Sequence, residues 1–136
     1  MQAKGRCLCG QATYAIDGDM LWAGSCYCRD CQRESGGGHL TAIAVPGAAI
    51  EANGTLKTYT APGGSGTDID RTFCSECGST LFSHPHVMGD TRIVRAGTLE
   101  DSSSVQPGMA VFCSQSVAWD PPHEDVPTFA EMPPIQ

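Results

Sequence analysis

Apolar residues along this chain fall into short runs, many with a two-residue alternation, and nowhere recur at helical spacing for three turns. The stretch "QATYAIDGD" (11–19) alternates polar and apolar residues and stops at Asp17-Gly18-Asp19, which predicts a strand and a hairpin turn. "HLTAIAVPG" (39–47) predicts a second strand, ended by Pro46-Gly47. "TLKTYTAPGG" (55–64), "DRTFC" (70–74), "STLFSH" (79–84), "TRIVRAGTL" (91–99) and "MAVFCSQ" (109–115) continue the series, punctuated by Gly, Pro, Asn and Asp. Only Arg29–Ser35 reads as a short helix, closed by Gly36-Gly37-Gly38. From Pro121 the chain carries five prolines (121, 122, 127, 133 and 134), which predicts an extended surface arm pinned by Trp119 and Phe129. The expected organisation is one mainly-β domain over residues 1–120 and a proline-rich arm over 121–136.

Composition narrows the classes of function. At 136 residues the chain can bury one modest core, and 17% charged residues with many apolar runs argue against disorder. A formal charge of −7 makes nucleic acid and acidic membrane surfaces poor partners. The N-terminus runs through Met-Gln-Ala-Lys-Gly-Arg into Cys7 without an apolar signal region, and the chain has no long apolar stretch. A cytoplasmic, reducing setting is therefore expected. Eight cysteines there point to metal rather than disulfides.

The cysteines form two patterns. Cys7-Leu-Cys9-Gly10 and Cys74-Ser-Glu-Cys77-Gly78 are a Cys-x-Cys and a Cys-x-x-Cys knuckle, each followed by glycine. Four thiolates can close a tetrahedron around zinc, and the glycines allow the sharp turn that aims backbone N–H groups at the sulfurs. Such a site would staple two distant segments of a small core.

Cys26-x-Cys28-x-x-Cys31 is the second pattern, with three thiolates on one loop. It admits three readings: a second closed site with Cys113 or one of His39, His84, His86 and His123 as fourth ligand; a thiol-redox pair; or an open zinc site with an exchangeable fourth position. Cys113, in the apolar run "AVFCSQ", reads as an inert buried thiol. Three thiolates and Zn²⁺ sum to −1, which disfavours making hydroxide from water and suits binding a further thiolate. The chemistry expected of an open site is therefore that of a small thiol and its carbon adducts.

"GRCLCG", "CYCRDCQRESGG", "RTFCSECGSTLF", "RAGTLED" and a closing series of Trp, Pro, Phe and Pro together resemble the glutathione-dependent formaldehyde-activating enzyme family, named also for centromere protein V. The resemblance spans the whole chain in order. It implies a β-tent fold of antiparallel sheets and two zinc ions per chain. A structural zinc would sit on Cys7, Cys9, Cys74 and Cys77, and a catalytic one on Cys26, Cys28 and Cys31. The implied activity is that of a carbon–sulfur lyase acting on S-hydroxymethylglutathione or a similar thiol adduct, with glutathione as the candidate thiol. The centromere-protein branch implies an alternative, a scaffold module with both zincs structural. Tyr27 stands where many members have His between the first two central cysteines. Ala110 and Leu99-Glu100-Asp101 also depart from the usual pattern.

Around the triad, Tyr27 is expected to point away from the metal and pack toward the glycines at 36–38. Arg33 and Arg71 are candidate anchors for a substrate carboxylate, Arg71 also serving as a structural ion-pair partner. His84-Pro85-His86 reads as a loop with solvated imidazoles.

Overall fold

The computed structural model describes residues 1–133, so Pro134, the last of the five prolines, lies outside the described residues. Among the described residues ten strands form two sheets. β1 (Gln2–Arg6), β2 (Ala12–Asp17) and β5 (Ile50–Gly54) make an antiparallel three-stranded sheet in the order β1-β2-β5. The larger sheet runs β10-β3-β4-β9-β8-β7-β6. Its strands are β3 (Trp22–Cys26), β4 (Leu40–Pro46), β6 (Leu56–Pro62), β7 (Asp68–Cys74), β8 (Thr80–Pro85), β9 (Thr91–Arg95) and β10 (Ala110–Val111). All its pairings are antiparallel except the two-residue contact of β10 with β3. The molecule is mainly β, as the alternating pattern predicts.

β2 shows why the sheets pack. Ala12, Tyr14 and Ile16 are buried while the residues between them are exposed, so this strand gives one face to the core and one to water. β4 differs, because Ala42, Ile43, Ala44 and Val45 are all buried. Its Ile43 and Val45 join Ile16, Leu81 and Val94 in the main core. Its Ala42 and Ala44 pack with Ile93, Trp22 and Leu40 on the opposite face. The larger sheet therefore has two apolar faces, and only one is covered by the smaller sheet.

A register shift between β7 and β8 at Thr72/Phe73 helps divide the faces. The irregularity lets consecutive Leu81 and Phe82 both join the main core, so that Ser83 turns to the second face. That face lines a cavity.

The helix α1 (Arg29–Ser35) has the predicted bounds. Gly36 closes it at φ 75°, and its N–H donates to the Gln32 carbonyl at 2.9 Å. Gln32 is buried, and its side-chain amide donates to the carbonyls of Tyr27 and Gln115, which fixes the helix against the chain after β10. The arm after residue 120 runs beside β10, where Phe129 N–H donates to the Ala110 carbonyl at 2.9 Å and Ala110 N–H to the Pro127 carbonyl at 2.9 Å. Phe129 is half-buried there. Trp119 is 72% exposed and does not pin the arm, contrary to expectation: backbone pairing holds the segment instead.

Candidate metal centres

The first cysteine cluster joins the turn after β1 to the turn after β7. Cys7, Cys9, Cys74 and Cys77 bring their four sulfurs within 4.8 Å of one another. Cys7 Sγ lies 3.6 Å from Cys9 Sγ, and Cys9 Sγ 3.7 Å from Cys74 Sγ. These separations exceed a disulfide bond and match the ~3.8 Å edge of a tetrahedron with metal–sulfur bonds of ~2.3 Å. The donor set thus fits a thiolate-binding ion such as zinc.

Local backbone geometry builds this cluster. Gly10 at φ 83° and Gly78 at φ 81° occupy the left-handed region directly after each knuckle. The Ala12 N–H donates to Cys7 Sγ at 3.3 Å and the Glu76 N–H to Cys74 Sγ at 3.4 Å. The Thr55 and Ser79 hydroxyls sit 3.1 Å and 3.2 Å from the sulfurs of Cys74 and Cys77. The Thr55 hydroxyl accordingly lowers the Cys74 pKa, and the Ser79 hydroxyl and N–H bring that of Cys77 down to about 5. At Cys9 the Gln11 N–H favours the thiolate, but desolvation and hydrogen bonds to Cys7, Cys77 and Cys74 push the pKa up to about 12. Negative charge is already favoured at part of the cluster before a cation arrives.

The second cluster spans the end of β3 and the start of α1. Cys26, Cys28 and Cys31 place three sulfurs within 4.8 Å of one another, all half-buried. Cys28 is the N-cap of α1, and its sulfur accepts from the Cys31 N–H at 3.4 Å. Hydrogen bonds from Cys26 and Cys31, then from the backbone N–H groups of Cys31 and Asp30, lower the Cys28 pKa to about 2. Cys26 is pushed up to about 12, chiefly by its hydrogen bond to Cys28. Cys31 is driven well above the ordinary thiol range, first by its hydrogen bond to Cys26. One thiolate held by two thiols is a concentrated negative centre that a cation would complete.

Among the described residues no fourth cysteine or histidine joins this triad. Cys113 is half-buried in a short 3₁₀ turn, and its backbone N–H donates to Phe129. His39 is engaged elsewhere, its Nδ1 lying 2.5 Å from Asp120 Oδ2 while its ring stacks on Tyr27 at 4.7 Å. Tyr27 is buried and absent from the cavity wall, as expected of a residue pointing away from the sulfurs.

The three cysteines open instead onto a cavity of about 290 Å³ on the second face of the larger sheet. Strand alternation selects the wall: Trp22, Gly24 and Cys26 from β3, then Ile93 and Arg95 from β9. Arg71 from β7 and Glu34 from α1 complete a polar corner. Glu34 bridges two arginines, with Oε2 at 3.0 Å from Arg71 Nε and Oε1 at 2.6 Å from Arg95 Nε. Arg95 also donates to Ser83 Oγ and the Ile93 carbonyl. Arg71 makes no further hydrogen bond among the described residues, which leaves its Nη groups free toward the cavity it lines.

Sequence reasoning named Arg71 but not Glu34 or Arg95. The predicted helix places Glu34 one turn after Cys31, the one signal that could have found it. Arg33, the other proposed anchor, is exposed and does not line the cavity. His84 and His86 are not a free loop pair: His84 lies in β8 and both approach Asp70 of β7.

Among the described residues no helix is long and apolar enough to cross a membrane. A crystal structure of a Rhodobacter sphaeroides protein superimposes with a TM-score of 0.58 at 22% identity, covering 76% of this chain and 91% of that one, a likeness of fold. No curated protein matches the sequence. The model of the glutathione-dependent formaldehyde-activating enzyme family matches residues 2–115, the span that holds both cysteine clusters and the cavity wall from β3 to β9. The chain belongs to the glutathione-dependent formaldehyde-activating enzyme family.

Proposed function

We propose that this chain is a zinc-dependent carbon–sulfur lyase acting on a small thiol adduct of the S-hydroxymethylglutathione type, with glutathione as the candidate thiol. Cys26, Cys28 and Cys31 would hold the catalytic zinc. Cys7, Cys9, Cys74 and Cys77 would hold a structural one. One observation carries the reading: the three-cysteine cluster faces a cavity large enough for a small molecule, and no fourth protein ligand reaches it among the described residues. A closed four-sulfur site has no such vacancy in its ligand set.

When bound, zinc at the triad would take the substrate sulfur as a thiolate and keep it nucleophilic. The chain's own residues account for the rest. The apolar wall formed by Trp22, Ile93 and their neighbours keeps bulk water from the reacting atoms. Arg71, Glu34 and Arg95 carry a net charge of +1 beside a zinc–trithiolate of −1, so the cavity is close to neutral before substrate enters. The free end of Arg71 is placed to hold a substrate carboxylate in a two-pronged contact. In the joining direction the thiolate sulfur attacks the formaldehyde carbon and the C=O pair moves to oxygen, which takes up the proton that the thiol released on becoming a thiolate. The lytic direction reverses these steps.

All eight cysteines are unpaired, which fits a cytoplasmic, reducing setting. The test is exchange spectroscopy on mixtures of glutathione and formaldehyde with the zinc-loaded protein. Interconversion with S-hydroxymethylglutathione should exceed the spontaneous rate, and Cys28→Ser should return it to that rate. A protein that leaves the spontaneous rate unchanged is not this enzyme, and the scaffold alternative would then take precedence.

A further inference from the structure

Opposite the cavity, the register of β7 against β8 sets Asp70 directly across from His84. Their neighbours Ile69, Arg71, Ser83 and Pro85 line the cavity, so Asp70 and His84 project from the other face of the sheet. His86 begins the 3₁₀ turn that follows β8 and folds back toward the same carboxylate. One ligand atom from each of the three lies within 4.8 Å of the others.

Two of the three groups, His84 and Asp70, are held by partners that leave one lone pair of each aimed inward. His84 Nε2 lies 2.6 Å from the Gly89 carbonyl, which can only accept, so Nε2 carries the proton. Thr60 Oγ1 donates to Asp70 Oδ1 at 2.7 Å and leaves Oδ2 for the cluster. His84 Nδ1 faces this Oδ2 at 3.8 Å, too far for a hydrogen bond. His86 Nε2 donates to the same oxygen at 2.9 Å, a proton that it gives up when a cation takes its place. The His84 Nδ1 lone pair turned toward this carboxylate oxygen gains nothing unless a cation stands between them. Supporting bonds to a ligand's far side, as Gly89 and Thr60 make here, are the usual companions of a metal site.

We propose that Asp70, His84 and His86 form a third metal site, separate from both cysteine clusters, for a divalent cation of the zinc class. Two imidazoles and one carboxylate suit Zn²⁺ and its late first-row neighbours rather than Mg²⁺ or Ca²⁺. Three protein ligands, all at least partly exposed, make the ion exchangeable. The site clamps β7 to β8, the two strands whose opposite faces carry Arg71 and Ser83 into the cavity.

The test is calorimetric titration of Zn²⁺ into protein whose cysteine clusters are already zinc-loaded. The wild-type chain should take up one further equivalent. His86→Ala should abolish it, and Thr60→Val, which removes only the supporting hydroxyl, should weaken it ~10-fold. His123→Ala, in the exposed tail, should change nothing. No further equivalent up to millimolar Zn²⁺, or one that persists in His86→Ala, overturns the proposal as adventitious binding. Because wild type and variant are compared directly, the outcome does not depend on any catalytic role of the triad.

Discussion

Glu34 Oε1 lies 2.6 Å from Arg95 Nε, and both side chains are only 11% exposed. The contact ties α1, which carries Cys28 as its cap and Cys31 in its first turn, to β9 of the sheet floor. Glu34 meets Arg71 of β7 with its other oxygen, so one carboxylate locates the helix against two strands. Such a network adds little against an apolar replacement of the same shape, yet losing one partner leaves charge stranded.

Glu34→Ala would leave the largely buried side chains of Arg71 and Arg95 side by side without their shared carboxylate. The expected loss is about 3 kcal/mol, within the range for removing one member of a buried ion pair. Urea unfolding at fixed zinc measures it. Glu34→Gln should fall between the variant and wild type, because it keeps the shape and a hydrogen-bonding oxygen. An Ala variant as stable as wild type would show that Glu34 does not hold α1 in place.

The two cysteine clusters should respond differently to loss of one sulfur. Cys74 is fully buried and joins segments 65 residues from Cys9, so Cys74→Ser should cripple folding along with metal binding. Cys28 is half-buried in the cavity wall, and Cys28→Ser should keep the fold while zinc per chain falls by one. Elemental analysis and melting of chelator-free preparations check both halves. Equal soluble yield and equal melting for the two variants would contradict the separate roles.

What the sequence reveals follows from how local each signal is. β2 and α1 were legible because alternation, a turn and a glycine stop each lie within ten residues. β1 and β5 are polar or glycine-bearing, as "QAKGR" and "IEANG" show, and become strands only through pairing with β2. β3 likewise contains Gly24 and Ser25, and takes its extended form between β4 and β10. The cysteine clusters were visible because knuckles are short-range motifs. The corner formed by Glu34, Arg71 and Arg95, and the pairing of Asp70 with His84, depend on strand register. No local pattern encodes that register.

The zinc-free triad should show its charge distribution in its reactivity. An ordinary thiol alkylates through its thiolate, so its rate falls about tenfold for each pH unit below its pKa. Hydrogen bonds from Cys26 and Cys31 lower the Cys28 pKa to about 2. Its thiolate is therefore already formed throughout the range from about pH 4 to pH 7, and its iodoacetamide rate should be nearly flat there. The absolute rate will be modest, because a thiolate of low basicity is a weaker nucleophile. Cys26, raised to about 12 by its bond to Cys28, should stay unmodified over the same range. Cys77, with a pKa of about 5, should be flat above that pH and fall below it. Mass mapping of labelled peptides from zinc-free protein separates the three profiles. A Cys28 rate that drops tenfold per unit from pH 7 downward would mean that the negative centre of the triad does not sit on Cys28. The cap of α1 would then have no part in preparing the site for a cation.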